Sequence, residues 1–96
     1  MDTATAFDPT AVAIGRAVKA ALAAAGRSQA DVADQSEIAA NTFSRRVNGL
    51  IPFTFPELVR VAAALDVPLS SLIASAEEIA ARANKPAPAA AGALAG

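Results

Sequence analysis

At 96 residues with a formal charge of −1, the chain is long enough for one domain with a modest core and too short for a second folded unit. It contains no Cys and no His, which removes disulfides, thiolate metal sites, the commonest metal ligand and the commonest acid–base catalyst. No apolar stretch approaches the roughly 20 residues needed to span a bilayer, and the start of the chain lacks the basic character of a signal peptide. The expectation is an intracellular protein without cofactor, metal or membrane.

Residues 1–8 read as a flexible N-terminus. Asp8 followed by Pro9 then starts a helix, because Asp caps the first turn and Pro tolerates it. Ile14, Val18, Leu22 and Ala25 recur at helical spacing, Arg16 and Lys19 lie off that stripe, and Gly26 is the stop. Ser28 with Asp31 three residues on resembles a capping box, so a second helix is expected from about Gln29 to Gln35. Val32 and Ala33 supply its buried side, Ala33 being small enough for another helix to cross closely. In the next segment Ile38, Phe43 and Val47 are the large apolar residues, with Phe43 and Val47 one turn apart on one face. The helix from about Ala40 to Asn48 should end at Gly49.

Pro52 interrupts helical hydrogen bonding, so the chain between Gly49 and Thr54 is a loop. Thr54-Phe55-Pro56-Glu57 is a second capping box, opening a helix with Leu58, Val61, Ala62 and Leu65 inward. Pro68 breaks that helix and begins another from about Leu69 to Ala83, with Leu72, Ile73, Ala76, Ile79 and Ala80 on its apolar side. Glu78 and Arg82 are spaced for a surface pair. Residues 84–96, rich in Ala and Pro, have too little bulk for a core and read as a disordered tail. With no strand-like run, residues 9–83 make an all-α, five-helix domain.

The core leaves unused a group of mostly short, polar side chains and arginines on the third helix, with Gln29 at the start of the second. These are Gln29, Ala40, Asn41, Thr42, Ser44, Arg45, Arg46 and Asn48, the inventory needed at base edges and phosphates of DNA. Each has a plainer alternative: the arginines as solvated charges, Gln29 as a helix former, Asn48 as a helix terminator. Taken together on a short helix facing away from Phe43 and Val47, they favour contact with a groove. Arg16, Lys19 and Arg27 read instead as a solvated face. Phe43, Phe53 and Phe55 are expected as core or loop anchors, which leaves no stacking platform for single strands. Residues 9–60 hold six cations against four carboxylates, so a positive face is expected on a near-neutral molecule.

With those residues in view, the chain resembles the lambda-repressor/Cro-type helix-turn-helix proteins of phages and bacteria. Gln29 and Ala33 match the opening of that family's first motif helix, and Asn48-Gly49 resembles the end of its recognition helix. Phe55-Pro56-Glu57-Leu58, Ala62 to Val67 and Leu72 look like its following helices. The run Asn41 to Gly49 with Pro52-Phe53-Thr54 is similar to regulators of actinobacterial phages. The chain departs from the pattern at Glu37, where Gly is frequent in the turn, at Ala39, where a Ser or Thr cap is usual, and at Val47, where Glu is common.

The resemblance implies a sequence-specific, double-stranded DNA-binding transcriptional regulator of the bacterial cytoplasm, a phage repressor or Cro-like protein acting by promoter occlusion. It also implies two half-sites about one turn apart and so a pair of copies on DNA. Leu69, Leu72, Ile73 and Ile79 of the last helix are the candidate surface for a homodimer, and equally they could cap the core of a monomer. Two other classes stand beside this one. A protein-interaction module, such as an antitoxin or regulatory partner, could keep the fold and use the last helix. An enzyme is disfavoured, because no nucleophile–base pair is apparent.

Overall fold

Five helices follow one another in the computed structural model: α1 (Pro9–Ala25), α2 (Gln29–Gln35), α3 (Ala40–Val47), α4 (Phe55–Leu65) and α5 (Leu69–Asn84). The structure describes residues 8–84. The flexible segments expected at the two ends therefore lie, apart from Asp8 and Asn84, outside the described residues. No strand occurs among the described residues, and the architecture is all-α.

Local chemistry sets most of the boundaries. Asp8 accepts a hydrogen bond from the Thr10 amide at 2.8 Å, with Pro9 in the first turn. Ser28 Oγ accepts from the Asp31 amide at 3.1 Å and starts α2. Thr54 and Glu57 form a reciprocal capping box, with the Thr54 amide donating to Glu57 Oε1 at 2.8 Å and the Glu57 amide to Thr54 Oγ1 at 3.2 Å. Asp66, in the left-handed region at φ 59°, ends α4 before Pro68 can continue it. The last helix runs one residue past its expected end, to Asn84.

The main core gathers Val18 and Leu22 of α1, Val32 of α2, Phe43 and Val47 of α3, Leu58, Val61 and Leu65 of α4, and Leu72 of α5. Phe43 is fully buried and meets Phe53 edge-on, with ring centroids 5.8 Å apart and planes at 76°. A second, smaller cluster of Ala13, Ala17 and Ala76 lets α5 lie close along α1. Ala25 is exposed, so the inward stripe of α1 stops at Leu22.

One further expectation is corrected by this packing. Phe55 is 66 % exposed and anchors nothing, because the capping box places the first residue of α4 on the outside of the turn. Leu69, Ile73 and Ile79, half-buried, lean against the chain's own clusters and Leu72 is buried, which fits the core-capping role among the two expected for the last helix.

Long side chains tie the helix pair α2–α3 to the rest. Arg27, expected on a solvated face, donates from Nε to Asp31 Oδ2 at 2.8 Å and from Nη1 to the Ala64 carbonyl at 3.0 Å, and also meets Gln35. Arg60 of α4 donates to the Ser36 carbonyl at 2.8 Å. Both guanidinium groups thus satisfy carbonyls at helix ends that have no partner within their own helix.

Candidate nucleic-acid interface

The turn between α2 and α3 closes on backbone bonds. The Ser36 amide donates to Val32 and the Ile38 amide to Ala33, both at 2.9 Å. Glu37 takes the left-handed conformation at φ 60°, at the position where a glycine would adopt it most easily. Ser36 is fully buried, its hydroxyl without a hydrogen-bond partner, and Ile38 turns into the core to hold the start of α3. Ala39 occupies the cap position of α3 without a side-chain hydrogen bond, so the first amides of that helix have no side-chain acceptor.

Over its eight residues α3 divides sharply. Phe43 and Val47 are buried, whereas Ala40, Asn41, Arg45 and Asn48 are exposed and Thr42 and Ser44 half-buried. Asn41, Ser44, Arg45 and Asn48 follow the spacing i, i+3, i+4 and i+7, which makes one outward stripe of amide, hydroxyl and guanidinium groups. The Arg45 carbonyl accepts from the Leu50 amide at 3.0 Å, but no hydrogen bond or ion pair engages its exposed side chain among the described residues. Gln29, half-buried in the first turn of α2, is the remaining member of the predicted set.

Arg46 is placed differently from its neighbour. Its Nη1 donates to the Pro52 carbonyl at 2.7 Å, and its Nε lies 3.0 Å from Glu57 Oε1. That Nε makes no aligned hydrogen bond, so the contact with Glu57 is one of charge. The two side chains are only 17 % and 12 % exposed. Arg46 therefore fastens the end of α3 to the loop and to the capping box of α4.

Lys19, read from the sequence as part of a solvated face, reaches the site from α1. Its Nζ lies 3.5 Å from Asn48 Oδ1, and Asn48 Nδ2 lies 3.5 Å from Ser44 Oγ. Both contacts are at the long limit for a hydrogen bond and act as loose guides. Nothing in the spacing of α1 signals the contact, because it bridges 29 positions. No group of three or more His, Cys, Asp or Glu side chains that could hold a metal ion occurs among the described residues. No single helix there is long and apolar enough to cross a membrane.

A model of the helix-turn-helix family matches residues 18–72, from the middle of α1 into the first turn of α5. No curated protein sequence matches the chain. The match takes in α2, the turn and α3 whole, with the two helices that hold them. The chain belongs to the helix-turn-helix family of XRE type, whose members are transcription regulators that bind double-stranded DNA.

Proposed function

We propose that this chain is a sequence-specific transcriptional repressor of the phage or Cro kind, working in the bacterial cytoplasm by occupying a promoter and excluding polymerase. The observation that carries the reading is the outward stripe of α3, on which the exposed Arg45 side chain has no partner among the described residues while Phe43 and Val47 commit the opposite face to the core. In this reading α3 enters the major groove. Asn41, Thr42, Ser44 and Arg45 meet base edges, and Ala40 at the helix start admits close approach. Gln29 and Asn48 fix the register on phosphate. Arg46, held by Pro52 and Glu57, stays with the fold.

The similarity of Asn41 to Gly49 and Pro52-Phe53-Thr54 to actinobacterial phage regulators supports the phage-type assignment. Binding to two half-sites by a pair of copies belongs to the same reading. Beside the half-buried Leu69, Ile73 and Ile79 of α5, the exposed apolar residues open to such a pairing are Leu50 and Ile51 after α3 and Phe55 and Val59 of α4.

Selection of bound sequences from a random DNA pool tests the proposal. A recovered consensus is expected, and Arg45→Ala should then bind it more weakly by about 1–3 kcal/mol while random DNA loses less. A pool that yields no consensus would sink the reading, and equal losses on both DNAs would make Arg45 a phosphate contact. Two half-sites about one helical turn apart support the pair; a non-palindromic site bound one to one excludes it.

A further inference from the structure

Helices α1 and α3 meet backbone to backbone, with no side chain between them at the point of contact. A Cβ on Gly15 would lie 2.1 Å from the Val47 carbonyl oxygen, 2.8 Å from its carbon and 3.0 Å from the Arg46 carbonyl oxygen. All three are main-chain atoms, which cannot rotate aside. On the same side of α1, Val12 supports Gly49, whose own Cβ would fall 2.8 Å from Val12 Cγ2 and whose φ is +80°. Further along, Lys19 reaches Asn48. Val12, Gly15 and Lys19 are spaced i, i+3 and i+7, so one stripe of α1 forms the seat for the last turn of α3.

We propose that Gly15 is a positioning residue for DNA reading: direct contact between its backbone and Val47 sets how far Arg45 and Asn48 project from the domain. The inference rests on α3 being the element that enters the groove. The start of α3 is held independently, by Ile38 and Phe43 in the core. A methyl group at position 15 therefore lifts mainly the end of the helix, and ordinary contact with the Val47 oxygen requires a displacement of roughly 1 Å. A fork of hydrogen bonds from a guanidinium to a base tolerates about half that error, whereas attraction to phosphates tolerates more.

The experiment compares Gly15→Ala with the wild-type full chain in two measurements. The first is binding to the selected DNA and to random DNA. The expected result is a roughly tenfold fall in the ratio of specific to random affinity, with random binding changed by less than about twofold. The second is the backbone amide NMR spectrum without DNA, where shifts should concentrate on residues 45–50 and spare α2. An unchanged ratio in a folded variant overturns the proposal, as do amide shifts that are absent or spread evenly over the domain. If the wild-type chain selects no sequence, the reading of α3 fails by itself, and the amide spectrum still decides whether Gly15 sets the position of the helix end. If Gly15→Ala does not fold, Val12→Ala takes its place, since it removes bulk beneath Gly49. The same localised shifts are expected there, and their absence overturns the proposal.

Discussion

Removing the Arg46 side chain separates a structural arginine from the one proposed to read DNA. Arg46→Ala deletes the 2.7 Å bond to the Pro52 carbonyl and the 3.0 Å charge contact with Glu57. A hydrogen bond from a charged donor contributes about 1.5–3 kcal/mol, and the pair is too well covered for solvent to screen it away. Glu57 keeps its bond from the Thr54 amide, which limits the penalty of leaving a carboxylate unpaired. The expected loss is about 2–3 kcal/mol, or roughly 8–24 °C in the melting temperature of a domain this size. Thermal and urea unfolding followed by circular dichroism measures it, with Arg45→Ala, expected to melt like the wild type, as the control. If Arg46→Ala melts within about 2 °C of the wild type yet loses operator binding, Arg46 faces DNA and the structural assignment is wrong.

Two further substitutions test the fold around the site. Glu37→Gly should stabilise the domain by about 0.5–1 kcal/mol, since it relieves a left-handed non-glycine residue at some cost in chain entropy, and a lower urea midpoint would contradict the strain argument. Phe43→Ala should cost about 3–5 kcal/mol, enough to unfold much of the protein, whereas Phe55→Ala should fall within about 0.5 kcal/mol of the wild type. Equal losses from the two changes in denaturant titrations would mean that Phe55 is covered after all.

What could be read from the sequence was local. Asp8, Ser28, Thr54 and Gly26 act on partners within a few residues, and their chemistry alone locates both ends of α1 and the starts of α2 and α4. The inward faces of α3 and α4 followed from periodicity for the same reason. What escaped depends on contacts between distant parts of the chain. Arg45 and Arg46 are chemically identical neighbours, and only the fold brings Pro52 and Glu57 beneath the second of them. Arg27 looked solvated because its bond to Ala64 spans 37 positions. The apolar side of α5 reads from the sequence equally as core and as interface, because nothing in its spacing shows that Ala13 and Ala17 of α1 are small enough to receive it. Phe55 was misread for a different reason: an aromatic residue beside a capping motif carries no mark of which way the first turn will face.

Glu57 Oε1 receives the Thr54 amide at 2.8 Å and lies 3.0 Å from Arg46 Nε, so one oxygen serves the beginning of α4 and the end of α3. A helix of eight residues is marginal when isolated in water, and its last turn would ordinarily fray first. Here fraying of that turn disturbs the first turn of the next helix, and the two openings become a single cooperative event. On the proposed reading, in which α3 enters the groove, the element that faces DNA has no cheap molten state of its own and arrives already ordered, with little conformational freedom left to surrender on docking.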